Sequence, residues 1–254
     1  MKISIVTISF NQEQYLRQCI DSILTQTGCE VEYIVVDPGS KDNSRALIES
    51  YGERIIKVFD PDKGPADGLI KGFERATGDI YGFINSDDYL LPGALKNITE
   101  FFAKNNAQAF VTGQGYTEDE FGTRTKIRTD QLTLNNMLHL SAVMFQQGTF
   151  FPAELYKKAG GFNINNGTCW DYELFLRFLM SGAKHSVLEQ DVAVFRLYQG
   201  SISGSGRLED RFYKEVDALF LEIKGHPRNW TDKAVTKILR AQRVIKRYLP
   251  KFLT

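Results

Sequence analysis

Short β-branched runs alternate with amphipathic segments along the first 105 residues of this chain. The pattern predicts strands over residues 3–8, 32–36, 55–59 and 79–84, and helices over residues 15–24, 44–51, 67–76 and 92–105, with Asn11 as the first N-cap. Such alternation is typical of an α/β fold in which helices cover both faces of a mostly parallel sheet. Ligands bind beyond the carboxyl ends of the strands in such sheets, so we expect the functional site at that edge.

The second half of the chain is less regular. We predict strands over residues 107–117, 145–151 and 192–197, and helices over residues 154–159, 172–181 and from about 210 onward. Residues 118–128 are polar and predict a hairpin or a loop. Residues 198–206 are rich in Gly and Ser, and we expect a mobile segment there.

Composition and charge limit the partners. The net charge of the 254 residues is +0, so bulk charge does not indicate a nucleic-acid partner. The three cysteines lack a CxxC spacing and are typical of reduced thiols. The start of the chain does not resemble a signal peptide, and no apolar run approaches the roughly 18 residues that a membrane helix needs. We therefore expect a cytoplasmic protein, with attachment to the inner face of the membrane left open.

Three acidic residues fall at the ends of predicted strands: Asp37, Asp87 and Asp88. Carboxylates that converge repel one another unless a cation binds among them. Oxygen ligands of this kind suit Mg²⁺ or Mn²⁺, which often also bind phosphates. The alternative for the Asp pair is a solvated turn.

Four segments carry a resemblance to a known family. Residues 83–92 (FINSDDYLLP) resemble the acidic metal motif of family 2 glycosyltransferases, which have the GT-A fold. Residues 5–11 resemble the opening strand of that family, residues 36–42 its nucleotide turn, and residues 63–79 a pattern that follows. The resemblance covers residues 2 to about 204 and implies a GT-A domain over 1–207, with a nucleotide half at about 1–105 and an acceptor half at about 106–207. Residues 208–254 would then form a basic helical extension.

The resemblance implies a role for each acid of the nucleotide half. Asp88 would bind a divalent metal, Mn²⁺ or Mg²⁺, and Asp87 would contact the ribose or support the metal. Asp37 and the backbone near Ile8 would line the base and ribose pocket. Many relatives have a second acid after Asp37, where this chain has Pro38. This departure weakens any inference about the nucleotide base.

Two further residues have competing interpretations. Asp67 is a candidate for the missing nucleotide contact, and its alternative is a helix N-cap. Arg196 lies in a segment that resembles a late loop of the family. Its side chain would contact either a phosphate of the donor or an acid in the core.

The catalytic and acceptor residues are also implied by the resemblance. Asp171 matches the acidic residue that serves as general base at the start of a helix, with Glu173 as the second candidate. The alternative is that both acids only favour the helix dipole. Gln146, Gln147 and Trp170 are placed on the acceptor side, although residues 146–151 also fit a buried edge strand.

The last 24 residues are basic and amphipathic, with seven Lys and Arg side chains between apolar ones. A helix of this kind binds an anionic membrane, or it packs its apolar stripe on the domain and turns its charges to water.

The sequence therefore predicts a metal-dependent inverting glycosyltransferase of the hexosyl or N-acetylhexosaminyl class. Its donor would be a nucleotide-diphospho-sugar, with UDP favoured over GDP or dTDP. Its acceptor would be a saccharide or a lipid-linked molecule in cell-surface polysaccharide or glycan assembly. Two alternatives are a non-catalytic nucleotide-sugar-binding protein and a nucleotidyltransferase. The latter needs a basic, Gly-rich triphosphate loop, which residues 9–12 (SFNQ) do not form.

Overall fold

Strands and helices alternate through the first 105 residues in the computed structural model, which describes residues 1–105 and 109–248. The strands of this half are β1 (Lys2–Ile8), β2 (Glu30–Val36), β3 (Ile56–Val58), β4 (Ile80–Asn85) and β5 (Tyr89–Leu90). The helices are α1 (Glu13–Leu24), α2 (Ser44–Ser50), α3 (Pro65–Phe73) and α4 (Ala94–Lys104). The sequence did not predict β5, because two residues are too few to set a pattern.

The second half contains strands β6 (Ala109–Glu118), β7 (Arg124–Ile127), β8 (Thr149–Pro152) and β9 (Lys184–Arg196). Its helices are α5 (Leu134–Leu138), α6 (Ala153–Lys158), α7 (Trp170–Met180), α8 (Ile202–Ser205), α9 (Glu209–Lys224) and α10 (Trp230–Tyr248). The predicted strand 107–117 begins on residues outside the described part of the chain. The predicted strand 145–151 is partly wrong, because Gln146–Gly148 form a 3-10 turn before β8. Strand β9 begins at Lys184, earlier than predicted.

The described strands form one sheet in the order β3-β2-β1-β4-β8-β6-β9-β5, with β7 paired to β6. Strands β3, β2, β1 and β4 are parallel, so the carboxyl ends of β1, β2 and β4 meet at one edge. Strand β8 is antiparallel to β4, which brings the turn before β8 to that same edge. Strand β5 pairs antiparallel with the end of β9 and holds the last residues of β9 beside the Asp pair.

Apolar residues cover both faces of the sheet, because successive side chains of a strand point to opposite faces. Val6 and Ile34 belong to a core cluster with residues of α3, α7 and α9. Ile5 directly precedes Val6, and Val35 directly follows Ile34. Both belong to a second cluster with residues of α1, α2 and α4. This three-layer arrangement confirms the predicted α/β fold class.

Two glycines allow α3 to approach the sheet closely. A Cβ atom on Gly72 would lie 2.4 Å from Cγ1 of Val6, closer than real contacts allow. One turn earlier, a Cβ atom on Gly68 would lie 2.8 Å from Oδ2 of Asp62. Because α3 packs this tightly, the loop before it lies against the carboxyl edge of the sheet.

The predicted domain boundary after residue 207 falls between α8 and α9. Val216 and Phe220 of α9 are fully buried in the cluster that also contains residues of α7. Helix α9 therefore shares the core of the preceding domain, and the separate extension over 208–254 stays a prediction. Within the described residues, no helix has the length and apolar character needed to cross a membrane.

Candidate active site

A cleft of about 850 Å³ opens at the carboxyl edge of β1 and β4. Its walls come from both halves of the chain. They include the ends of the parallel strands, the turn before β8 and the start of α7. The residues used below that line it are Ile8, Ser9, Pro38, Asp62, Asp87, Gln146, Gln147, Trp170, Asp171 and Arg207.

The two acids after β4 have different surroundings. Asp87 lines the cleft, whereas Asp88 has no exposed surface. The Oδ1 of Asp88 accepts a hydrogen bond from the backbone N–H of Arg196 (2.9 Å), and its Oδ2 accepts one from Nε2 of Gln147 (3.0 Å). Burial, and then the charge of Asp87, raise the pKa of Asp88 well above its usual range. The predicted metal ligand is thus held inside the protein, and Asp87 is the acid of this pair that faces the cleft.

The donor atoms at Asp87 fit a divalent cation that also binds a diphosphate. Burial raises the pKa of Asp87, so a nearby cation would favour its ionised form. Among the described residues, no three His, Cys, Asp or Glu side chains cluster as a protein-only metal site. Mg²⁺ commonly binds through one or two carboxylates together with substrate phosphates. A single cleft-facing carboxylate suits that mode of binding.

Asp37 lies fully buried at the end of β2, beside Pro38 of the cleft. Its Oδ1 accepts hydrogen bonds from the backbone N–H groups of Gly39 (2.9 Å) and Ser40 (2.7 Å). Its Oδ2 and the hydroxyl of Ser9 are buried and have no hydrogen-bond partner among the described residues. A buried carboxylate oxygen that accepts no hydrogen bond destabilises the fold. This position therefore suits a hydrogen-bond donor group of a ligand.

Asn11 has a different role from the one predicted. Helix α1 begins after Gln12, and Asn11 adopts a left-handed φ of 53°. The Oδ1 of Asn11 accepts a hydrogen bond from the backbone N–H of Lys41 (2.8 Å), and its own N–H donates to Oγ of Ser40 (2.8 Å). Asn11 therefore joins the turn after β1 to the turn after β2 and does not cap α1.

Asp67 is not among the residues that line the cleft. Its Oδ2 accepts a hydrogen bond from the backbone N–H of Lys63 (2.9 Å) and lies 3.5 Å from Nζ of Lys71. Asp67 thus stabilises the first turn of α3. This role is close to the helix N-cap that was its alternative interpretation. The acid that lines the cleft from this loop is Asp62, whose pKa is raised by burial and by the charges of Asp67 and Asp37. Asp62 was not predicted from the sequence; it lies four residues beyond the end of β3, after Asp60.

Arg196 contacts the protein on every side and does not line the cleft. Its Nη1 donates to the backbone carbonyl of Asp87 (2.6 Å), and its Nη2 donates to Oε1 of Gln18. Its Nε lies 3.4 Å from Oε1 of Glu118, and its guanidinium lies 4.6 Å from the ring centroid of Tyr89. This is the predicted alternative, in which Arg196 meets an acid in the core. Arg207, which the sequence did not indicate, is an exposed cation that lines the cleft.

Asp171 lines the cleft from the first turn of α7. Its Oδ1 accepts a hydrogen bond from the backbone N–H of Tyr172 (2.8 Å), and burial raises its pKa to about 6. Glu173 is buried away from the cleft, where it accepts hydrogen bonds from Asn166 (2.6 Å) and from Arg177. Of the two candidates for a general base, only Asp171 is placed to meet a substrate.

The predicted acceptor-side residues all line the cleft. The Nε2 of Gln146 donates to the backbone carbonyl of Phe83 (2.7 Å), and that of Gln147 donates to Asp88. These amide groups therefore fix the turn before β8 against β4. Trp170 is the first residue of α7, directly before Asp171. The apolar residues that share this side are Ile127, Val143, Met144, Phe145 and Phe195.

A comparison with known families decides the assignment. The family model described as Glycosyl transferase family 2 matches residues 4–170, well over half of the chain. This chain belongs to glycosyltransferase family 2. The match includes Asp37, Asp87 and Asp88 and ends one residue before Asp171.

Curated glycosyltransferases are similar in sequence to this chain. An uncharacterized glycosyltransferase from Nostoc sp. is 37% identical over 106 residues, which cover 40% of this chain and 33% of the relative. One from Rickettsia felis is 28% identical over 193 residues, covering 72% of this chain and 32% of the relative. One from Rickettsia typhi is 26% identical and covers 70% of this chain and 58% of the relative. The chain thus spans between about a third and three fifths of the length of these relatives.

Solved structures confirm the GT-A fold. TarS 1-349 from S. aureus in complex with UDP-GlcNAc superposes with a TM-score of 0.70 at 19% identity, covering 98% of this chain and 73% of that one. The mannosyltransferase PcManGT from Pyrobaculum calidifontis, in complex with GDP-Man and Mn2+, gives 0.68 at 15% identity, covering 94% and 68%. At such identities the likeness concerns the fold alone.

Proposed function

We propose that this glycosyltransferase moves a sugar from a nucleotide-diphospho-sugar to a hydroxyl of a saccharide or lipid-linked acceptor, with inversion at the anomeric carbon. One observation carries the proposal: Asp87, which follows β4, and Asp171, in the first turn of α7, line the same cleft. Two separated carboxylates suit a reaction that has a leaving group on one side and a nucleophile on the other.

Asp171 acts on the nucleophile. With a pKa of about 6, its carboxylate is ionised at neutral pH and still basic enough to accept a proton. The acceptor oxygen attacks the anomeric carbon as its proton passes to Asp171, and the bond from that carbon to the diphosphate oxygen breaks. The electron pair of that bond leaves with the nucleoside diphosphate. The transition state carries positive charge at the sugar ring, as in glycoside hydrolysis.

The donor diphosphate lies on the side of Asp87. Asp87 would hold a divalent ion, Mn²⁺ or Mg²⁺, which when bound stabilises negative charge on the leaving diphosphate. This proposal differs from the sequence prediction of Asp88, whose side chain is fully buried and is not among the residues that line the cleft. The guanidinium of Arg207 lines the same cleft and would add positive charge there. The neighbouring structure of PcManGT with GDP-Man and Mn2+ supports this reading.

A UDP-sugar remains the favoured donor. The unpartnered Oδ2 of Asp37 suits an imino N–H donor such as that of uracil. Guanine and thymine also carry an imino N–H, so GDP- and dTDP-sugars stay as alternatives. The neighbour TarS with UDP-GlcNAc supports the UDP choice. Four further features remain predictions of the sequence: the hexosyl or N-acetylhexosaminyl class, the role in cell-surface polysaccharide assembly, the cytoplasmic location, and a peripheral contact of the tail with a membrane.

Transfer of a bound donor distinguishes this proposal from the two alternatives. Purified protein is mixed with UDP-, GDP- and dTDP-sugars and Mn²⁺, and thermal unfolding reports which donor binds. Release of nucleoside diphosphate then measures turnover. We expect Asp171→Asn to keep donor binding and to lose turnover by roughly 10²–10⁴-fold. Normal turnover by Asp171→Asn would reject the assignment of the base, and binding without turnover by the unaltered protein would favour a non-catalytic role.

A further inference from the structure

Helix α10 packs on the protein through its arginines. The Nη1 of Arg243 donates to the backbone carbonyl of Ser141 (2.9 Å) and lies 3.9 Å from Oδ2 of Asp130. The Nη2 of Arg247 lies 3.2 Å from Oδ1 of the same Asp130. These two arginines are one turn apart and lie on one face of the helix. Helix α10 is therefore fixed to the body of the molecule by charged groups.

The opposite face of α10 is apolar and exposed to solvent. Trp230 is 79% exposed, Ile238 56% and Ile245 53%. These positions are about two turns apart, so their side chains form one stripe along the helix. Both small residues within the stripe, Ala234 and Ala241, are exposed as well. The alternative in which the apolar stripe packs on the domain thus holds only in part: Val235 and Leu239 are half-buried, whereas Ile238 and Ile245 face solvent.

Basic residues border this stripe. Lys233 and Lys237 are exposed beside it, and Lys246 is exposed near the end of the helix. The single acid of α10, Asp232, is buried, and its Oδ2 accepts a hydrogen bond from the backbone N–H of Asn229 (3.0 Å). We call Trp230, Ile238 and Ile245, together with the three lysines, the outer face of α10. This face combines apolar groups with positive charge and contains no carboxylate.

We propose that the outer face of α10 docks on a membrane surface that contains anionic lipid. Interfacial helices bury an apolar stripe at the level of the lipid headgroups while flanking lysines contact phosphates. Tryptophan is enriched at that depth because its ring is apolar and its N–H is polar. A second copy of this chain is a poorer occupant, because two outer faces of like charge repel each other. The proposal is independent of the transfer reaction, and it places the enzyme where a lipid-linked acceptor lies.

Vesicle flotation with the full chain tests the proposal. We expect binding to vesicles of phosphatidylcholine and phosphatidylglycerol, weak binding to phosphatidylcholine alone, and a decline as salt is raised. The emission of Trp230 should shift to the blue on binding, and Trp230→Phe should abolish that shift. Because the assay measures no sugar transfer, its outcome does not depend on the proposed function.

Variants of the exposed stripe identify the face involved. Ile238→Glu combined with Ile245→Glu should reduce vesicle binding by roughly tenfold or more, because both side chains leave water only when the helix docks. Met180→Glu, which alters a residue that is 53% exposed on α7, is the matched control and should bind like the unaltered protein. Circular dichroism confirms that each variant is folded.

Three results would overturn the proposal: no preference for anionic vesicles, an equal loss in Met180→Glu, or no loss in the double variant. Sedimentation of the unaltered protein provides a further check. A dimer that forms with increasing concentration and that Ile238→Glu separates would assign the outer face to contact between copies.

Discussion

The hydroxyl of Tyr198 lies 3.2 Å from Oδ2 of Asp87, so the segment after β9 is joined to the acid that faces the cleft. The same hydroxyl lies 3.3 Å from Oε1 of Gln12, and the ring centroids of Tyr198 and Tyr15 are 4.9 Å apart. One hydroxyl has one proton and donates to one acceptor at a time. A cation that binds Asp87 through Oδ2 therefore competes with this hydrogen bond for the electron density of the same oxygen.

Removal of that hydroxyl should strengthen metal binding. We expect Tyr198→Phe to raise the affinity for Mn²⁺ by roughly two- to tenfold, since a net hydrogen bond of about 0.5–1.5 kcal/mol no longer competes. Isothermal titration with and without a nucleoside diphosphate measures the change. A lower affinity in Tyr198→Phe would instead mean that the hydroxyl helps to build the metal site.

Asp171 should set the pH dependence of transfer. A general base works in its ionised form, and the pKa of Asp171 is about 6 because of burial. We expect kcat/KM to rise about tenfold per pH unit below 6 and to level off above it. A profile that stays flat between pH 5 and 8 would argue against Asp171 as the base.

The same group should also influence stability. The folded-state pKa of about 6 lies above the ordinary aspartate value of about 3.9, so the folded protein holds this proton more tightly than the unfolded chain. The contribution of Asp171 to stability therefore falls as pH rises from about 4 to about 6. Asp171→Asn, which has no charge, should have a higher Tm than the unaltered protein at pH 8 and the same Tm at pH 4. An equal Tm at both pH values would contradict a desolvated carboxylate.

Glu173 provides the contrast on the same helix. Because it accepts hydrogen bonds from Asn163, Asn166 and Arg177, Glu173→Ala should leave buried donors unpaired and destabilise the fold by about 1–3 kcal/mol. Urea denaturation measures that loss. The rise of kcat/KM near pH 6 should persist in this variant. Its disappearance would make Glu173 the base.

Replacing Asp87 or Asp88 with alanine should distinguish a loss of stability from a loss of metal binding. Asp88→Ala leaves the N–H of Arg196 and the amide of Gln147 without their acceptor, so we expect a loss of about 2–4 kcal/mol in the free energy of unfolding. Asp87→Ala should keep stability close to the unaltered value and abolish Mn²⁺-dependent donor binding. The reverse pattern, with a stable Asp88→Ala that has lost metal binding, would restore Asp88 as the ligand.

The sequence predicted the sheet edge well and the direction of individual side chains less well. Periodic apolar residues and strand-end acids placed Asp37, Asp87 and Asp88 at one edge, because parallel strands end together, whereas Asp171 was indicated only by the family resemblance. Spacing alone does not distinguish Asp87 from Asp88, since that depends on the amide of Gln147 and the backbone of Arg196, which are distant in sequence. The same holds for α10, whose Arg243 and Arg247 meet Asp130 and backbone carbonyl groups that are distant in sequence.

The contact between Asp88 and Arg196 spans 108 positions, and the one between Gln18 and Arg196 spans 178. A ribosome releases the amino-terminal strands long before β9, and domains generally fold as units during synthesis. Until residue 196 has emerged, a nascent chain contains Asp88 without its backbone partner. The cleft is therefore complete only after β9 has been synthesised, and a polypeptide that stops before β9 should bind no nucleotide-sugar even where its parallel strands have paired.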